Sequence, residues 1–102
     1  MQHPKLARLL FAVPNGGARN AVTGAILKAE GVVPGVADLL LLVPRHGYHG
    51  LAIEMKTRTG RQSDSQREWQ QEVEAQGYRY VVCHSFDDFR NEVEAYIVDG
   101  KG

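Results

Sequence analysis

Runs and alternations of apolar residues divide the chain into segments of strand and helix length. Residues 6–13 are apolar enough for a strand, led in by a short turn. Pro14-Asn15-Gly16-Gly17 then breaks regular structure, because Asn-Gly and Gly-Gly favour positive φ. Val22, Ile26 and Ala29 share a face at helical spacing, which predicts a helix over 20–30 with Asn20 as N-cap and Gly31 at C′. After a connector punctuated by Pro and Gly comes Leu39-Leu40-Leu41-Leu42-Val43, an unbroken apolar run that predicts a strand buried on both faces. Residues 44–50 form a turn rich in Gly, His and Arg. Residues 51–57 alternate cleanly. Leu51, Ile53 and Met55 point to a core, whereas Ala52, Glu54 and Lys56 form a charged opposite face.

Ser63 is placed to open a second long helix that Gly77 ends, and Ser63 and Gln66 have capping-box spacing. Trp69 and Val73 lie on one face of it, and Gln66 falls on the same side, a polar residue on an otherwise apolar stripe. Residues 78–84 read as another strand. Ser85 or Asp87 can cap a last helix through Ile97, with Phe89, Val93 and Tyr96 as its apolar stripe. Residues 99–102 are expected to fray. The order strand, helix, strand, strand, helix, strand, helix predicts an α/β fold, a mixed β-sheet flanked by helices.

Composition narrows the function classes. At 102 residues the chain fits one small domain, and 43% hydrophobic with 24% charged residues suits a globular protein. The formal net charge is zero, so any nucleic-acid contact must rest on a local patch. Arg58, Arg61 and Arg67, just past the alternating strand, are either that patch or a solvated face. The lone cysteine, Cys83, excludes an internal disulfide and a Cys-rich zinc site, and its apolar neighbours mark it as a core thiol. No membrane span or signal peptide is visible, so an intracellular, cytoplasmic location is expected. His46 and His49 flank a Gly-Tyr turn as exposed loop residues. His84 has no recognisable partner, and Trp69 and Tyr78 are expected in the core.

The candidate chemistry lies in Asp38 and Glu54-Met55-Lys56. Glu54 and Lys56 are two apart on a strand and share a face, and a hairpin-like return can bring Asp38 beside them. An exposed Glu-Lys pair of this kind is often worth only about 0–1 kcal/mol and nothing more. The alternative is a metal site. Asp38 and Glu54 offer two hard oxygens and the Met55 backbone carbonyl a third, which suits Mg2+ or Mn2+. A cation there polarises a phosphate and activates a water, while Lys56 orients the nucleophile and balances charge. The aspartate at the mouth of a buried strand and the polar Gln66 favour this second reading.

Several blocks then carry a resemblance across nearly the whole chain: Phe11-Ala12-Val13-Pro14-Asn15-Gly16-Gly17-Ala18-Arg19, Leu27-Lys28-Ala29-Glu30-Gly31, Gly35-Val36-Ala37-Asp38-Leu39, Gly47-Tyr48-His49-Gly50-Leu51-Ala52-Ile53-Glu54-Met55-Lys56, residues 63–69, and Gly77-Tyr78. The chain resembles the VRR-NUC (virus-type replication-repair nuclease) family of the PD-(D/E)xK nucleases. The resemblance implies a restriction-endonuclease-like fold and metal-dependent phosphodiester hydrolysis. It implies Asp38 and Glu54 as metal ligands, Lys56 as the catalytic lysine, and Gln66 as a glutamine presented from the following helix. The loop with Asn15 and Arg19 is either a tight turn or a phosphate contact, and the likeness favours DNA; Arg58 and Arg61 are DNA candidates by their place just past the strand. By the same likeness to Holliday-junction resolvases, branched DNA is the expected substrate, a homodimer the expected form, and a phage or bacterial source the expected origin. Ala37 replaces the family's proline before the aspartate, a change of backbone shape rather than chemistry. Residues 1–8 contain no Asp or Glu, so a single domain spanning 1–102 without the family's acidic N-terminal helix is expected. A catalytically incomplete module that binds DNA or a partner protein is the rival expectation.

Overall fold

In the computed structural model, residues 4–14 and 33–98 are described. A 3-10 helix, Pro4–Leu9, leads into β1, Leu10–Ala12. The strands β2, Leu39–Leu41, and β3, Leu51–Met55, follow. Helix α1, Asp64–Ala75, strand β4, Arg79–Cys83, and helix α2, Phe86–Ile97, complete the order. The helix expected over 20–30 lies outside the described residues.

The sheet runs β1-β2-β3-β4. Its first three strands are antiparallel, with Leu10↔Leu41 and Leu39↔Ile53 in register. Strands β3 and β4 are parallel, Ile53 beside Val81, because α1 carries the chain back to the same end. The result is the expected mixed sheet flanked by helices.

Each helix covers one face. On one side, Val93, Tyr96 and Ile97 of α2 pack with Leu41, Leu51, Ile53, Val81 and Cys83. On the other, Trp69 and Val73 of α1 pack on Ala52 and Tyr80, with Ala37 beneath. Both helices start as their sequences dictate. The Ser63 side chain accepts from the Gln66 N–H while the Gln66 side chain accepts from the Ser63 N–H, a complete capping box. Ser85 caps α2 by accepting from the Asp88 N–H at 3.0 Å. Gly35, at φ +82°, passes so close to the first turn of α1 that a Cβ would overlap the Ser65 carbonyl. Two residues on, Ala37 is buried in the cluster that α1 covers.

Four expectations are corrected. The segment 6–13 is half 3-10 helix, because only Leu10–Ala12 pair with β2. The leucine run is not buried throughout: Leu42 is 51% exposed, just past the end of β2. The face of β3 bearing Ala52 and Glu54 is not an exposed charged face; residues 51–54 are all buried, since α1 lies over it. Tyr78 is an exposed ring, in edge contact with His49, rather than core. Cys83 is buried as expected. Desolvation, aided by the charges of Glu92 and Asp88, pushes its thiol up to about 11.

Candidate active site

The site forms at the end of the β2–β3 pairing. One step beyond Leu39↔Ile53, Asp38 stands across from Glu54. The Asp38 N–H donates to the Ile53 carbonyl at 3.0 Å. In return the Met55 N–H donates to Asp38 Oδ2 at 2.7 Å. A strand residue turns its N–H and C=O to the same neighbour, so the Met55 carbonyl also faces the β2 side. The antiparallel return expected from sequence therefore brings Asp38 to Glu54 and Met55.

Glu54 is 1% exposed, a carboxylate set into the sheet beneath α1. A buried carboxylate needs hydrogen bonds and a counter-charge to persist. Its Oε1 accepts from the Tyr80 hydroxyl and from Gln62 Nε2, the latter at 3.1 Å. Its Oε2 receives no hydrogen bond. Lys56 Nζ stands 3.4 Å from Oε2, close enough for charge pairing though not placed as a hydrogen-bond donor. Lys56 remains 20% exposed, so its ammonium joins the buried carboxylate to the solvent side. Burial pushes the Tyr80 hydroxyl well above its ordinary value, and the Glu54 hydrogen bond and charge add to this. Tyr80 is thus a fixed donor across the ordinary pH range.

The glutamine differs from expectation. The Gln66 side-chain oxygen is held by the Ser63 N–H at 2.8 Å, as the third helical residue of a capping box must be. Gln62, in the loop before α1, makes the contact with Glu54. Its amide also donates to Gln70 Oε1 at 2.8 Å, and Gln70 donates to Glu74 Oε2 at 3.1 Å. Arg67 braces the same loop by donating to the Gln62 carbonyl at 2.9 Å and pairing with Asp64. For Tyr80 a signal existed: strand alternation puts it on the face of β4 beside Ala52 and Glu54. For Gln62 none did, since its reach depends on how the loop crosses β3.

Arg58 and Arg61 are exposed in the loop after β3, where Gly60 N–H closes a turn on the Thr57 carbonyl at 3.0 Å. Asn15 and Arg19 lie outside the described residues. His46 and His49 are exposed, as expected. His84 does have a partner, the Thr57 carbonyl at 2.8 Å from Nδ1.

Among the described residues, no group of three or more His, Cys, Asp and Glu is placed to hold a metal ion. The donors expected from the sequence are two carboxylates, Asp38 and Glu54, and the Met55 backbone carbonyl. That set fits Mg2+ or Mn2+, which take one or two carboxylates and complete their shell with water and phosphate oxygens. The unbonded, buried Glu54 Oε2 is the feature that a cation would satisfy.

Among the described residues, no helix is long and apolar enough to cross a membrane. No curated protein matches the chain. A solved structure described as a VRR_NUC domain protein superposes with a TM-score of 0.78 at 28% identity, over 90% of this chain and 70% of that one. The VRR-NUC domain family matches residues 3–87. With that match over most of its length and this structural likeness, the chain belongs to the VRR-NUC domain family, a nuclease-type family.

Proposed function

We propose that the chain is a Mg2+- or Mn2+-dependent DNA endonuclease that hydrolyses phosphodiester bonds, selective for branched DNA. The observation that supports this reading is the buried Glu54 oxygen with no hydrogen bond, 3.4 Å from Lys56 Nζ, on a strand whose next N–H, that of Met55, donates to Asp38 Oδ2. Asp38, Glu54 Oε2 and the Met55 carbonyl would hold the cation. When bound, it supplies charge neutralisation at the scissile phosphate and a more acidic water.

The chain's own residues do the rest. Lys56, anchored by Glu54 and partly open to solvent, holds its ammonium where it can orient the attacking water and offset charge developing on the phosphate. Asp38 keeps its carboxylate fixed through the Met55 N–H, so the oxygens at the site need little rearrangement on binding. Arg58 and Arg61 offer exposed positive charge to the DNA backbone. A homodimer suits the same reading, because a four-way junction requires two symmetric cuts.

The test is incubation of the protein with branched, flapped and linear DNA, with and without Mg2+ or Mn2+. Metal-dependent cleavage that is fastest on the branched substrate is expected, with a dimer mass in light scattering. The rival is an inactive DNA- or partner-binding module, favoured by the carboxylate count of two at the described site. Binding without any metal-dependent product would establish it.

A further inference from the structure

The two oxygens of Glu54 are not equivalent. Oε1 is aimed at by two donors, the Tyr80 hydroxyl and the Gln62 amide, whereas Oε2 has none. Neither donor is free to turn away. The second Gln62 amide proton is held by Gln70 Oε1, and Gln70 is itself tied to Glu74. This polarised run of amides fixes which end of Gln62 faces the carboxylate. Tyr80 is buried against Trp69, the ring centroids 6.0 Å apart, so its ring has little room to swing.

Resting on the metal-site reading above, we infer that Tyr80 and Gln62 are positioning residues that make Glu54 a one-oxygen ligand and so bias the site toward small octahedral cations over Ca2+. Mg2+ and Mn2+ are satisfied by single carboxylate oxygens in a tight octahedron, whereas Ca2+ takes more ligands and often both oxygens of one carboxylate. Chelation through Oε1 as well would sacrifice both hydrogen bonds to that atom. Removing the donors releases Oε1, and with it the bias.

The test titrates Mn2+ and Ca2+, without DNA, into the full chain and into Tyr80→Phe, Gln62→Ala and Glu54→Gln. Calorimetry is the main readout. The fluorescence of Trp69, the single tryptophan and a neighbour of Tyr80, is the second. In the wild type, Mn2+ is expected to bind more tightly than Ca2+, and Glu54→Gln to abolish both. In Tyr80→Phe and Gln62→Ala, Mn2+ affinity is expected to fall about 10-fold, with Ca2+ affinity unchanged or higher. A merely structural role would lower the unfolding midpoint and leave the Mn2+/Ca2+ ratio as it was. A wild-type ratio in both variants, with Glu54-dependent Mn2+ binding intact, would overturn the inference and leave the metal site standing. Absence of Mn2+ binding by the wild-type chain would overturn both. Gln62→Ala lies outside the core and keeps the test decisive should Tyr80→Phe unfold.

Discussion

At the scale of single residues, Lys56 and Cys83 make the clearest claims. Lys56→Ala removes the ammonium 3.4 Å from Glu54 Oε2 while leaving both apolar clusters intact. A loss of cleavage of about 100-fold or more is expected, with an unchanged circular dichroism spectrum; wild-type cleavage would refute the role given to Lys56. Cys83 carries a thiol raised by burial from 9.0 to about 11. It should resist alkylation at neutral pH in the native state and react once the chain is unfolded. The sign for stability follows from linkage. In the unfolded chain the thiol ionises near its ordinary value, while in the fold it stays protonated. Its contribution is therefore complete below about pH 9 and is lost as pH rises toward about 11. Tyr80 and Tyr96, both raised by burial, act in the same direction. Denaturant midpoints measured from pH 8 to 11 should fall steadily; a rise would contradict the burial of these groups.

At the scale of elements, the start of α1 separates stability from chemistry. Ser63→Ala removes the cap and is expected to cost about 1 kcal/mol in unfolding experiments. Gln66→Ala should likewise act on the capping box, with a small stability loss and little change in cation affinity, the reverse of Gln62→Ala. Gly35→Ala is the harsher change, because φ +82° and the Ser65 carbonyl both oppose a side chain. A loss above about 1 kcal/mol is expected, accompanied by weaker activity as Asp38 is displaced. These elements were legible to different degrees. The alternation of residues 51–57 and the return from Asp38 gave the β2–β3 register, because period-2 patterning and a hairpin leave few choices. Burial of Glu54 was not legible: alternation tells that Ala52 and Glu54 share a face, but not that α1 will cover it. Gln66 and Gln62 illustrate the same limit. Helical spacing put Gln66 on the inner side, yet its capping bond claimed the side chain, and a loop residue reached the carboxylate instead.

At the scale of the whole molecule, zero formal charge means that DNA affinity depends on a few cations rather than on a general field. Arg58→Ala and Arg61→Ala should each weaken binding across DNA sequences and reduce the salt slope by about one. An unaltered slope would move the DNA contact elsewhere. The sheet itself carries one more consequence. A carboxylate oxygen shut inside the fold without a hydrogen bond, paired only by charge with Lys56, is a local fault that a small divalent cation bound there would repair. On the proposed metal-site reading, occupancy and folding are coupled, and the melting temperature should become a gauge of the divalent ion concentration. At a hundred times the dissociation constant the gain is about 2.7 kcal/mol, and in Glu54→Gln that gauge should go flat.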